Sequence, residues 1–437
     1  MSRRVRYFYV LVLAVSIVAA LWAVQASNWA PDTGVRTPDA SHAGRLGAAA
    51  RLTASLDGAG AALRPPGDGL TARLTAVPKI ERITITSVGD LLIHGGLIRA
   101  AQREAGYDFG PMFEHVAPQL RRGQISIANL EVTLAGPERG FAGYPLFNSP
   151  DELLDAARDH GITVLTTANN HAMDTGATGL QRTLKTVRER GLPAVGTRLS
   201  ADEPPYLIIE AAGFKVALLA YTYGTNGNPV PEEYMVDLID KDRMTADLAA
   251  ARRHGPDLVL VALHWGQEYR RHYSPEQRQL AEFLHAQGVD GILGAHPHVV
   301  QPFELLGTGA DLTPVFYSTG NFVSNQRWRY SDGGIIAHLT YRKVTHPDGT
   351  SYTELEQVEH FPIWVHLDRP GGQVRYRVLP ALPGAAEQFQ LGSEDRRLLE
   401  QSYGDTLEIL GPLEIYRRPV TPLAPLVAEP VSHQLLR

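Results

Sequence analysis

Three features of the chain predict a layered α/β sandwich with mixed sheets. Strand-like and helix-like segments alternate from Ile80 onward, some strand segments are direct neighbours, and five short polar islands each close a hydrophobic strand. In order, Arg82–Val88 alternates like a half-buried strand and runs into Gly89–Asp90. Ile125–Ala128 is a short strand that ends at Asn129. Asp151–His160 reads as a helix, followed by a strand at Ile162–Thr167 that enters Asn169–Asn170–His171. Gly179–Arg190 reads as a helix stopped by Gly191 and Pro193. Tyr206–Glu210 and Lys215–Tyr221 flank Ala212–Gly213, a hairpin signal. Lys241–His254 is a helix, and the apolar run Leu258–Leu263 suits a strand buried on both faces. Pro275–Gln287 is a helix with proline in its first turn. Gly291–Leu293 leads to His296 and His298, and Val315–Ser318 leads to Gly320–Asn321–Phe322. Gly334–Lys343 and Ser351–Leu367 are further strands.

The segments group into regions. Residues 80–345 form the main domain, 346–411 supply flanking strands and a helix, and 412–437 are a proline-rich tail expected to pack loosely. At the other end, residues 1–6 carry Arg3, Arg4 and Arg6, and 7–25 form an apolar run without charge. That run approaches the roughly 20 residues needed to span a bilayer. The basic flank puts the N-terminus in the cytoplasm and the rest outside. A signal peptide cleaved after Ala26 is the rival, but the run exceeds the usual apolar core of about 7–15 residues. Residues 26–79, rich in Ala, Gly, Pro and Arg, read as an extracytoplasmic tether, with a weak helix at Ala43–Leu56.

Composition narrows the chemistry. The chain has no cysteine, so disulfides, thiolate catalysis, cysteine-ligated zinc, iron–sulfur clusters and a lipoprotein anchor are excluded. A formal net charge of -6 gives no nucleic-acid footprint. There is no Gly-x-Ser-x-Gly elbow, no Gly-x4-Gly-Lys phosphate loop and no Gly-x-Gly-x-x-Gly motif.

The islands carry what remains. Asp90 ends a strand and suits either a metal ligand or a turn, and His94, four residues on, reads more readily as a solvent-facing side chain. Glu131 can bridge two cations about 3.5–4 Å apart with its two oxygens, although an exposed loop acid is the commoner fate of Glu. Two Asn and a His between a strand and a helix make poor packing. Asn170 can ligate without adding charge, and His171 can give a proton to a leaving oxygen. Asp174 either orients His171 or caps the next helix, and capping is the reading preferred. His264 ends an apolar strand, where a lone His is usually a core residue; Glu268 reads as solvent-facing. Pro297 disfavours helical dihedrals at His296. An extended segment would then point His296 and His298 the same way, as a paired ligand. Arg270 and Arg327, just beyond motif loops, can grip carboxylate or phosphate, or simply sit in solvent.

The stretches SVGDLLIHGG, IANLEVTL, TANNHAMDTG, ALHWGQEY, GAHPHVVQP and YSTGNFVSNQ occur in this order between Arg82 and Gln326. Together they resemble the calcineurin-like metallophosphoesterase superfamily, and within it the CapA/PgsA-type bacterial capsule (poly-γ-glutamate) synthesis family. That resemblance implies a four-layer α/β/β/α sandwich with two divalent metal ions (Mn, Fe or Zn) at the strand ends. It assigns Asp90, Glu131, Asn170, His264, His296 and His298 as ligands and His171 as the catalytic histidine. Two departures stand out: the superfamily usually spaces its first Asp and His two apart, whereas Asp90 and His94 are four apart, and its bridging acid is usually Asp where this chain has Glu131. Asn321 matches a feature of the branch, as an amide facing phosphate or carboxylate or as a turn residue.

The expected function is a membrane-tethered hydrolase acting through a metal-activated water on a phosphoester or on an amide of an anionic polymer, alongside capsule synthesis or export proteins. The alternatives are a non-catalytic polyanion-binding component and a secreted nucleotidase or other phosphatase.

Overall fold

The computed structural model describes residues 77–419. The expected membrane segment (7–25), the weak helix at Ala43–Leu56, nearly all of the tether and most of the tail lie outside the described residues. Among those described, no helix is long and apolar enough to cross a membrane.

The strands are β1 (Lys79–Leu91), β2 (Ile125–Leu130), β3 (Val164–Thr166), β4 (Ala194–Val195), β5 (Tyr206–Ala211), β6 (Phe214–Thr222), β7 (Leu258–His264), β8 (Gly291–Ala295), β9 (Phe303–Thr308), β10 (Asp311–Phe316), β11 (Asn321–Val323), β12 (Gly333–Thr345), β13 (Ser351–Asp368), β14 (Arg375–Pro380) and β15 (Glu414–Arg417). The main helices are α1 (Gly95–Ala101), α2 (Glu152–Asp159), α3 (Gly176–Glu189), α4 (Lys241–Arg252), α5 (Pro275–Ala286) and α6 (Ser393–Leu410).

Two mixed sheets result. The first runs β14-β13-β12-β1-β2-β3-β4, with β11 beside β1 and β15 beside β13. In it β1 to β4 are parallel, whereas β12, β13 and β14 join antiparallel. The second runs β5-β6-β7-β8-β10-β9, parallel in its centre and antiparallel at both edges. The apolar run in β7 is buried along its whole length, as a central strand covered on both faces should be.

Three apolar cores separate the layers. Ile83, Ile85, Ile127 and Leu339 from the first sheet meet Val216, Leu218, Leu260 and Phe316 from the second. Outside the first sheet, Leu97, Phe113, Leu153 and Val187 bring helices onto it. Outside the second, Met244 and Leu248 of α4 and Leu280 and Leu284 of α5 do the same. Helix α5 starts where its sequence says it should: Ser274 at the N-cap and Gln277 at N3 form a reciprocal capping box on either side of Pro275.

Three expectations need correction. The boundary at 345/346 falls in a hairpin, because β12 and β13 pair along almost their full length. The region 346–411 is therefore mostly a continuation of the first sheet and its covering helix. The main domain starts a residue before position 80, since β1 begins at Lys79. The tail does not become loose at Pro412: Glu414–Arg417 pairs with Gln357–Glu359 of β13, which gives its backbone groups partners.

At the end of β1 the pairing with β2 slips, so that Asp90 lies opposite Asn129 and beside Asn321 of β11. Gly89 makes that possible, because a Cβ there would sit 1.8 Å from the carbonyl oxygen of Gly320. Only glycine allows β11 to come this close to β1.

Candidate metal centre

Parallel strands place their C-terminal ends on one edge, the usual place for a site in an α/β sheet. Here β1, β2 and β3 of one sheet deliver Asp90, Glu131 and Asn169–His171, and β7 and β8 of the other deliver His264, His296 and His298. The six expected ligands come together. Asp90, Glu131 and His298 offer ligand atoms within 4.8 Å of one another, and so do Glu131, His264 and His296. Glu131 belongs to both groups. Asn170 joins the second, with its Oδ1 2.9 Å from Nε2 of His264.

Asn129 ties the groups together. Its Nδ2 donates to Asp90 Oδ1 (2.8 Å) and to His264 Nδ1 (3.2 Å). Its Oδ1 accepts from Asn169 Nδ2 at 3.3 Å. Asp90 Oδ2 lies 2.9 Å from His298 Nδ1. Every one of these side chains is buried.

Burial sets the electrostatics. For Asp90 it opposes ionisation, but hydrogen bonds from His298 and Asn129 outweigh it, and the carboxyl titrates below its ordinary value. Glu131 is pushed well above its ordinary value by burial and then by the charge of Asp90. Burial also drives His264 far below the ordinary imidazole value, helped by His296 and His298. His296 falls to about 3, again mainly through burial and then His298. Neutral imidazoles keep a lone pair for a cation.

The donor set fits divalent metals. Both oxygens of Glu131 and Nδ1 of His296 are buried without a hydrogen-bond partner. Among the described residues, no Lys or Arg pairs with Asp90 or Glu131; their ion-pair contacts are to His264 and His298. Buried carboxylate without compensation is costly, and a cation held between these groups would offset that cost. Mixed nitrogen and oxygen donors suit Mn, Fe or Zn.

His171 stands beside these groups. Its Nδ1 lies 2.8 Å from Asp174 Oδ2, which also accepts from the backbone N–H of Phe147 at 2.7 Å. The Phe147 ring meets His171 edge-on, with centroids 4.7 Å apart. Asp174 therefore orients His171 rather than capping α3, whose N-cap residue is Thr175. The preference for capping is thus corrected: Asp174 faces Phe147 from 27 positions away, a contact invisible to local reading.

The histidine pair also needs correction. His296 and His298 are not in an extended segment; their φ values are +99° and +57°. Pro297 does keep His296 out of the helical region, but the chain turns sharply after β8 instead of continuing. The two rings end 6.1 Å apart and serve different groups.

Two expected substrate contacts are committed elsewhere. Asn321 is fully buried, and its Nδ2 holds the Ser331 carbonyl (2.8 Å) and Gln326 Oε1 (3.0 Å), which braces the loop beside His298. Arg327 donates to the Val365 carbonyl and lies over the Trp364 ring. Arg270 is exposed on the loop after β7. His94 is outside both ligand groups; its Nδ1 lies 3.1 Å from the Leu92 carbonyl and 3.3 Å from the Asn325 backbone N–H.

Sequence reading missed the roles of Asn129, Tyr223 and Tyr269. Asn129 was detectable: in β2 it lies two residues before Glu131, and a buried polar side chain in a strand demands partners. Tyr223 stacks near-parallel to His264 (9°) and lies 4.6 Å from the His296 ring. Tyr269 lies 5.9 Å from the His298 ring. Nothing local marks either tyrosine.

The chain is similar to several known proteins. The chain is 30% identical over 271 residues to the capsule biosynthesis protein CapA of Bacillus anthracis, covering 59% of this chain and 64% of that one. It is 30% identical over 263 residues to the PGA biosynthesis protein CapA of Bacillus subtilis, covering 59% and 67%. The match thus spans somewhat less than two thirds of the first relative's length. Among solved structures, the NAD nucleotidase of Haemophilus influenzae aligns with a TM-score of 0.42 at 13% identity, over 76% of this chain and 64% of that one. The family described as bacterial capsule synthesis protein PGA_cap matches residues 84–326, more than half of the 437 residues, and the chain belongs to that family.

Proposed function

We propose that this protein is a metal-dependent hydrolase of a phosphoester in the synthesis or export of a capsule or poly-γ-glutamate-type polymer. The observation that carries this reading is one buried, unpartnered carboxylate, Glu131, shared by two ligand groups. Asp90, Glu131 and His298 would hold one cation; Glu131, Asn170, His264 and His296 would hold the other. When bound, such cations supply Lewis-acid activation of water and neutralise charge at phosphorus.

The chain's own residues do the rest. Asn129 keeps Asp90 and His264 in place. Asp174 holds Nδ1 of His171, which leaves Nε2 to deliver a proton to the departing oxygen. The relatives' printed roles in capsule and PGA biosynthesis support the polymer context.

The test is metal analysis with hydrolysis. Chelation should strip the intact protein of metal and abolish cleavage of bis(p-nitrophenyl) phosphate, and added manganese should restore it. A protein that holds metal yet cleaves no phosphoester would be a polyanion-binding component instead. We also place the domain outside the cell on a membrane tether, on the strength of the apolar run at 7–25 after three arginines. Alkaline extraction should leave it with the membranes; recovery of the intact domain in the soluble fraction would mean cleavage.

A further inference from the structure

Among the described residues five aromatic side chains are exposed: Tyr144, Tyr223, Tyr269, Trp328 and Tyr352. Two of them lie beside rings of the candidate metal centre, and two more lie one ring further out. Tyr223 touches the His264 and His296 rings, and Tyr269 lies against His298 and Trp328. Tyr144 approaches Phe147, which in turn touches His171. Exposed aromatics cost free energy in water, so four of the five gathered on one side of the molecule point to a ligand with apolar faces. Tyr269 is held there against strain. Its φ is +65°, its N–H donates to the Pro297 carbonyl (2.8 Å), and its hydroxyl accepts from Gln326 Nε2 (3.2 Å).

Behind Tyr223 lies a cavity of about 460 Å³. That is the size of a small-molecule site. Tyr223 and Ile239 supply apolar wall, Gln267 and Gln279 supply amides, and Lys241 and Glu276 supply one charge of each sign. A polyglutamate strand has a carboxylate on every unit and would need a surplus of cations, which this lining does not have. A sugar ring fits this lining: a C–H face can lie on the Tyr223 ring, and its hydroxyls can pair with the Gln267 and Gln279 amides, which both donate and accept.

We propose that the cavity beside Tyr223 is a sugar subsite, so that the ester processed at the centre carries a hydroxyl-rich ring. This rests on the hydrolase reading for the word ester, but binding alone can test it. Calorimetry on the intact, manganese-loaded protein would compare non-hydrolysable phosphonate analogues of glucose 1-phosphate, glycerol 1-phosphate and uridine monophosphate, together with tri-γ-glutamate. The glucose phosphonate is expected to bind at least about tenfold more tightly than the glycerol phosphonate. Gln279→Trp, on the exposed face of α5, should fill the cavity and reduce that ratio to about twofold or less. Equal affinity for the two phosphonates, tighter binding of uridine phosphonate or tri-γ-glutamate, or no binding of any probe would overturn the proposal. So would a ratio unchanged in a folded Gln279→Trp protein; the wild-type ratio decides the matter even where that variant does not fold. Sugar-selective binding without any phosphoester cleavage would remove the hydrolase reading and leave the subsite standing.

Discussion

Replacing His296 and His298 together with alanine is expected to leave the protein folded, empty its centre of metal and lower phosphoester hydrolysis by about 10³-fold or more. The size follows from losing several kcal/mol of charge stabilisation at the transition state, at about 1.4 kcal/mol per tenfold. The single variants should behave differently from the pair. His298 belongs with Asp90 and Glu131, whereas His296 belongs with Glu131 and His264. Each single replacement should therefore cost about one of two bound ions, and Glu131→Gln should cost both. Metal content per chain, measured by mass spectrometry on protein of unchanged melting temperature, is the readout. Undiminished metal in the double variant would remove the assignment altogether.

A second large effect is expected at His171. His171→Gln should retain metal and lose about 10²–10⁴-fold in kcat, the usual range for a general acid. The loss should depend on the leaving group. An alkyl phosphoester needs a proton on its departing oxygen and should suffer most, while a nitrophenyl ester leaves readily without one. Asp174→Asn keeps the shape but weakens the hold on Nδ1 of His171, and about a 10–100-fold loss is expected, the scale typical of partners that orient a functional histidine. Steady-state rates on the two ester types check both variants. Equal losses on both esters would mean that His171 positions substrate without transferring a proton.

The centre was legible because its residues sit where strands stop. An apolar run such as Leu258–Leu263 announces a buried strand, and the His that follows must then lie at its end. Five such ends were visible in one dimension, and parallel strand order gathers them on one edge. What escaped reading depends on neighbours distant in sequence. Asn321 and His264 are alike on paper, each a polar residue at the edge of an apolar strand. Only the fold decides that one amide braces a loop while the other side chain enters the cluster. Arg327 was read as a free cation, but the Val365 carbonyl it meets is 38 positions away. The sharp turn at His296 and His298 is also a tertiary result. Local rules exclude helix there but do not choose between an extended chain and positive φ. The short strand near the C-terminus was hidden by the prolines on either side of it, Pro412 and Pro419, because Glu414–Arg417 has little pattern until β13 offers it an edge.

The amide of Asn129 has one further consequence. Asn129 belongs to the first sheet and His264 to the second, so a single side chain bridges the two halves. The cluster is thus also a clasp. Sliding one half past the other by one residue's rise, about 3.3 Å, would part its donors from their acceptors. Turnover would then report slippage at that interface well before the molecule melts.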